Sequence, residues 1–229
     1  MSLEFPAVEV RVLGALMEKS VTTPDYYPLT LNSLTLACNQ KNNREPVTDY
    51  DEDEVLAALD SLRDRGLAMR VDVSGARTAK FRHQISARWE LSKPEFAILT
   101  VLFLRGAQTL GQLRARTERL YAFRDLTEVQ DTLEAMQRRE FEPQTLVRPL
   151  PLQPGSKEVR FFHAFSEPVA IIEEMKAANG FDAHAPLTDR ATVRLDGNQE
   201  LAELRTEVAT LREMVECLQN ELEAFKAQF

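Results

Sequence analysis

Apolar residues recur at helical spacing from the start of the chain. Val10, Val12, Leu13 and Leu16 line one side of a predicted first helix, with Glu9 beside them. The same pattern returns 86 positions later as Glu95, Phe96, Ile98, Leu99 and Leu102. Pro6 and Pro94 fall where the first turn of each helix is expected, a place where a missing N–H costs little. A second block, Glu54, Val55, Leu59, Leu62 and Arg65, returns 74 positions later as Glu128, Val129, Leu133, Met136 and Arg139. Its spacing is again helical, with Asp51 and Thr127 as expected N-caps and acidic residues suited to the helix dipole.

A third block changes period. Gly75, Arg77, Lys80, Phe81 and His83 return 80 positions later as Gly155, Lys157, Arg160, Phe161 and His163. A glycine between short alternating stretches signals a hairpin. Ala68–Val71 is expected to pair with Lys80–Ile85, and Leu146–Leu150 with Val159–Phe165. Phe81 and Ile85 are expected on one face, as are Phe161 and Phe165. A further short helix is predicted in each unit, about Thr30–Gln40 and Thr109–Thr117. Each unit therefore reads helix, helix, helix, strand, loop, strand, which is the order of a winged helix. The expected fold is α+β, mostly α: two tandem winged-helix domains, 1–90 and 91–166, plus a C-terminal coiled-coil helix.

Residues 167–199 are read as a short helix, using Val169, Ile172 and Met175, and then a linker. From Leu201 the period becomes heptad. Leu201, Val208, Val215 and Leu222 fall at a, and Leu204, Leu211, Leu218 and Phe225 at d. Val at a with Leu at d favours a parallel two-stranded coil. The g-to-e pairs Glu200–Arg205, Glu207–Arg212 and Glu221–Lys226 join opposite charges, so residues 200–229 are expected to form a homodimer. The competing reading is one helix docking its stripe on its own domains.

Charge narrows the choice of partner. The chain of 229 residues carries a net charge of −8. Residues 1–90 sum to −3, 91–168 to +1 and 169–229 to −6, so the acidity lies mainly in the tail. This balance weakens a DNA-binding reading but leaves room for a local basic patch. No run of about 18 apolar residues and no signal-peptide order occurs, so no membrane partner is expected. Cys38 and Cys217 lie far apart, without disulfide or zinc spacing, which fits a cytoplasmic setting. Cys38 shares a face with Leu31 and Leu34 and reads as a buried structural thiol rather than a reactive one. Cys217 falls at a c position, outside the heptad seam. His83, His163 and His184 form no ligand set, and no nucleotide-binding glycine loop is present. The chain is therefore expected to be non-enzymatic, with no catalytic residue, metal or cofactor.

Residues 18–46, Glu-Lys-Ser-Val-Thr-Thr-Pro-Asp-Tyr-Tyr-Pro-Leu-Thr-Leu-Asn-Ser-Leu-Thr-Leu-Ala-Cys-Asn-Gln-Lys-Asn-Asn-Arg-Glu-Pro, form a long and unusual motif. Leu-Arg-Gly-Ala-Gln-Thr at 104–109 and Leu-Arg-Ala-Arg at 113–116 form another. Together they closely resemble the YceH family of bacterial proteins, over about residues 7–165. The tail is similar to the family's coiled C-terminal segment. The resemblance implies a tandem winged-helix fold; the family's regulatory role is itself inferred from that fold.

Two functional readings follow. In the first the protein is a dimeric DNA-binding, regulator-like protein; in the second it is an adaptor that grips another protein. Asn39–Pro46 is either a helix C-cap and tight turn held by Arg44 and Glu45, or a contact surface using Lys41, Asn43 and Arg44. Other candidate contacts to DNA or a partner are Arg77, Lys80 and Arg82 on the first wing and Lys157 and Arg160 on the second. Arg114, Arg116 and Arg119 complete the set around the second unit's middle helix. Such clusters are commonly solvated faces. The third helices begin acidic, Asp51–Glu54 in one unit and Glu128, Asp131 and Glu134 in the other. Ordinary groove reading by those helices is therefore disfavoured.

Overall fold

Thr30 and Thr109 start matching helices in the two halves of the chain. In the computed structural model, which describes residues 4–71, 78–152 and 158–165, each hydroxyl accepts a backbone N–H three residues on, from Ser33 and Gln112. Each sits second in a series of three helices followed by two strands. The first half holds α1 (Ala7–Thr22), β1 (Leu29–Thr30), α2 (Leu31–Cys38), α3 (Glu52–Asp64), β2 (Ala68–Val71) and β3 (Lys80–His83). A short α4 (Ile85–Arg88) follows. The second half holds α5 (Lys93–Arg105), α6 (Leu110–Thr117), α7 (Leu126–Gln137), β4 (Val147–Pro149) and β5 (Phe161–His163). Among the described residues the protein is thus α+β and mostly helical, with two small antiparallel sheets. The expectations for Arg77, Lys157, both hairpin glycines and everything beyond residue 165 lie outside the described residues.

Three local expectations change. The α7 cap is Asp125 rather than Thr127: its carboxylate accepts the Glu128 N–H at 2.9 Å, which leaves Thr127 inside the helix. Ile85 is not on the strand. The Gln84 N–H turns back to the Leu67 carbonyl at 2.7 Å, β3 stops, and Ile85 enters the core from α4. The strand β1 was not anticipated. It makes the first sheet three-stranded, in the order β1-β3-β2, with Leu29 opposite Phe81. The second half repeats this closure in reduced form, as an antiparallel bridge between Gln108 and Phe161. In both halves the residue just before the α2 or α6 cap therefore meets the matched phenylalanine.

The matched Glu and Arg of the repeat also find each other. Glu9 in α1 lies 3.9 Å from Arg65 at the end of α3, and Glu95 in α5 lies 3.8 Å from Arg139 just past α7. Each arginine also donates to a backbone carbonyl ahead of the first helix of its half, Glu4 in one case and Trp89 in the other. Each pair ties the far end of a third helix to the start of its own first helix. The recurrence of the two blocks thus has a tertiary cause.

The halves share one core. Glu9 through Met17 of α1 are all buried, as are Ala97 through Leu104 of α5. A helix buried on every side sits inside a core, not on its surface. Here α1 and α5 pack against each other, while α2 and α3 cover α1 and α6 and α7 cover α5. The chain start joins the same core: the Phe5 N–H bonds the Phe165 carbonyl at 3.0 Å, and Trp89 stacks on Phe165 at 4.8 Å. The boundary expected at 90/91 falls between α4 and α5 but does not interrupt the apolar cluster.

Gly14 is where α1 comes closest to α5. A Cβ there would stand 2.9 Å from Phe103 Cβ and 3.0 Å from Leu104 Cδ2. Gly14→Ala is expected to destabilise the fold by about 1–3 kcal/mol in denaturant melts. It should do so although alanine favours an isolated helix by about 1 kcal/mol over glycine. A variant more stable than the parent would show that the two helices separate freely.

Candidate nucleic-acid interface

The segment after α2 is held inward rather than displayed. The Asn39 amide accepts the Tyr50 N–H at 2.9 Å and donates to the Tyr50 carbonyl at 2.7 Å, closing the loop from both ends. Asn43 takes a left-handed backbone, φ 62°, which asparagine tolerates better than most residues. Arg44, offered above as a surface contact, is buried with 3% exposure. Its Nη2 donates to Glu18 Oε2 at 2.7 Å and its Nη1 to Glu18 Oε1 at 3.2 Å. The same guanidinium donates to the Ala37 carbonyl through Nε at 3.0 Å and Nη2 at 2.7 Å. No phosphate can reach it. Arg44 is corrected to a structural staple that closes the end of α2, in agreement with the turn reading.

The next residue reaches the other half. Glu45 Oε1 lies 3.3 Å from Arg105 Nη1 and 3.2 Å from Arg116 Nη1, and the Glu45 N–H bonds the Leu104 carbonyl at 2.9 Å. Arg105 also donates to the Asn43 side chain. Asn43 and Arg116, both expected above to be outward contacts, are therefore engaged in a latch between the halves. Arg105 was missed on the sequence. Its signal was the motif Leu-Arg-Gly, in which an arginine precedes the helix-ending Gly106.

The remaining candidates disperse. Lys80 and Arg82 alternate with the buried Phe81 on β3, so both stand on the outward face of the first sheet. Arg114 is exposed and donates to the Arg124 carbonyl at 3.0 Å. Arg119 is exposed and has no hydrogen-bond or ion-pair partner among the described residues. Lys41 is exposed at the tip of its loop. Arg160 is half-buried, and its nearest acceptor is the Ala107 carbonyl at 3.4 Å. The fold brings Arg116 and Arg119 to one wall and leaves Lys80 and Arg82 on a different element.

The acidic helix starts are used locally. Asp51 accepts the Glu54 N–H at 2.8 Å while Glu54 accepts the Asp51 N–H at 2.9 Å, a reciprocal capping box. Glu52 accepts from the Asn32 amide at 3.1 Å, and Asp53 stays exposed. Glu128 accepts from the Arg124 N–H at 2.8 Å and the Tyr121 hydroxyl at 2.7 Å. These bonds, the backbone one foremost, hold its carboxyl below the ordinary range. A carboxylate so satisfied remains a charge that repels a phosphate.

The matched histidines and the cysteine are packing groups. His83 contacts Tyr27 and Phe96, and His163 contacts Phe103 and Phe162. Cys38 is fully buried, and burial pushes its thiol up to about 12, far from a reactive thiolate. Among the described residues no group of His, Cys, Asp and Glu could hold a metal ion, and no helix is long and apolar enough to cross a membrane.

Fold and surface together define a mostly helical protein with an internal repeat and a fused core. It carries scattered exposed cations and no metal cluster among the described residues. The chain belongs to the family described as "Protein of unknown function, DUF480", whose model matches residues 5–156. It is 47% identical over 223 residues to a UPF0502 protein of Geobacter sulfurreducens, covering 97% of this chain and 96% of that one. A UPF0502 protein of Geotalea daltonii is 43% identical, with both chains covered in full. One from Vibrio parahaemolyticus is 41% identical over 95% of this chain and 99% of its own. The motifs at 18–46 and 104–116 both lie inside the matched segment.

Proposed function

We propose that the protein is a non-enzymatic, DNA-binding, regulator-like protein built from two winged helices and paired through a coiled coil of residues 200–229. The observation that carries the reading is the recurrence, in both halves, of three helices and a hairpin whose last strand meets the residue before the second helix. Fold-level likeness is a weak warrant for function, so the mode of contact must be argued from charge. The α3 and α7 starts, with Glu52, Asp53 and Asp131 exposed, are poor groove readers. Contact is assigned instead to the phosphate backbone, through Lys80 and Arg82 on β3 and Arg114 on α6. Such contact is shape-led and salt-sensitive rather than base-specific.

The test is a titration of the intact chain with duplex DNA at 50 and 200 mM salt. Roughly six phosphate contacts per dimer, three from each copy, predict a loss of affinity of ~2000-fold across that range. A Lys80→Ala/Arg82→Ala/Arg114→Ala variant should flatten the salt slope. A chain ending at residue 199 should sediment as a monomer and bind more weakly. No shift with any genomic fragment at 50 mM salt would end the proposal.

One observation favours an adaptor as the second reading. The exposed carboxylates of α3 would attract a basic protein segment where they repel DNA. Capture of a protein by the intact chain, lost when Glu52 and Asp53 are replaced by lysine, would move the assignment to that class.

A further inference from the structure

A cleft of about 270 Å³ opens where the two halves meet. The end of α1 and the loop after α2 form one side; α5, α6 and the residues just after α6 form the other. Arg105, Arg116 and Arg119 line it, and Val101, Leu104 and Leu120 supply an apolar wall. Glu18 and Glu118 are the carboxylates on its lining, and Glu18 is already committed to Arg44. The cleft is thus richer in positive charge than the chain as a whole, which carries −8.

The arginines have donors to spare. A guanidinium offers five N–H groups in a rigid fork. Arg105 spends Nη1 on Glu45 and Nη2 on Asn43, and Arg116 spends Nη1 on Glu45 and on the Gln108 side chain. Nε of Arg105 and both Nε and Nη2 of Arg116 have no acceptor among the described residues, and Arg119 has none at all. Glu45 shows what this pair of arginines accepts: one carboxylate oxygen serves both guanidiniums at once. Burial together with the adjacent Arg116 charge lowers the affinity of Arg105 for its proton, a cost that a second anion would relieve.

We propose that this cleft is a binding site for a small anionic molecule, one that carries a phosphate or carboxylate group on a short apolar stem. The anion bonds the free donors of Arg105, Arg116 and Arg119, where guanidinium forks match both chemistries. The stem lies against Val101, Leu104 and Leu120. The ligand touches elements of both halves, so it bears on the latch formed by Asn43 and Glu45. The site lies away from β3 and does not depend on the DNA-binding proposal.

Calorimetric titration of the intact chain with monobutyl phosphate, butyrate and inorganic phosphate tests this at fixed chloride. Monobutyl phosphate or butyrate is expected to bind saturably, and at least about 5-fold more tightly than inorganic phosphate. Arg119→Ala is expected to weaken binding at least about 10-fold, and Arg88→Ala, an exposed arginine outside the cleft, to leave it within 2-fold. Which of the two organic anions binds more tightly identifies the head group. Three results would overturn the site: no saturable binding below 10 mM, equal loss in both variants, or inorganic phosphate as tight as the organic anions. Circular dichroism of Arg119→Ala, a surface change, should match the parent and exclude unfolding as the cause of a loss.

Discussion

Replacing Arg44 with alanine should cost about 3–5 kcal/mol of stability, the range found when one partner of a buried ion pair is removed. Its side chain is fully shielded and Glu18 is 13% exposed, so water cannot take over the lost interactions. Burial alone would raise the Glu18 carboxyl. The hydrogen bonds and charge of Arg44, with Lys19 nearby, bring it below its ordinary value instead. Removing Arg44 therefore strands Glu18 and uncaps the Ala37 carbonyl together. Arg44→Lys should recover less than half, because an ammonium cannot serve both Glu18 oxygens and the carbonyl in one plane. The Glu18→Ala/Arg44→Ala double variant should fall short of the sum of the single losses. Denaturant melts decide the matter. Unchanged stability with loss of DNA affinity would return Arg44 to the contact surface.

Acid should destabilise the protein well above the carboxylate range. Burial, reinforced by Arg82, lowers His83 from 6.5 to about 4. Burial, reinforced by Arg148, lowers His163 from 6.5 to about 3. Below pH 6.5 the unfolded chain binds protons that the folded chain refuses, so stability falls as pH falls. The loss approaches about 1.4 kcal/mol per pH unit for each histidine. It levels off near pH 4 for His83 and pH 3 for His163. Melts at pH 7.0, 5.5 and 4.5 should show this slope. A His83→Gln/His163→Gln chain should show a shallower one, whatever its stability at neutral pH. An identical slope in both would place the acid sensitivity elsewhere.

Much of the scaffold was legible because local chemistry and hydrophobic period agreed. Asp51 caps where the sequence places a cap, and Thr30 and Thr109 stand where their helices are expected to begin. Within the expected hairpins Ala68–Val71 pairs with Lys80–His83 and Val147–Pro149 with Phe161–His163. The candidate contacts were less legible. A basic residue in a polar loop reads the same whether it faces water or the interior. Arg44 turns inward because Glu18 meets it there, and Arg116 is engaged at the surface by Glu45 from the other half, both partners coming from distant positions. The strand β1 has two residues and no period of its own, so its pairing with β3 was visible only in three dimensions.

The three helices and the closing pair of strands in each half, and the Asp51 cap, were legible in the amino-acid sequence alone, since each rests on period and capping chemistry within a few residues. Two things waited for the tertiary structure: that α1 and α5 join the repeats into one core, and that arginines 105, 116 and 119 share a cleft. Both depend on close approach between segments far apart in the chain, 60 residues in the case of Glu45 and Arg105, where a missing Cβ at Gly14 and a carboxylate at Glu45 set the fit. Local pattern carries no record of such distances.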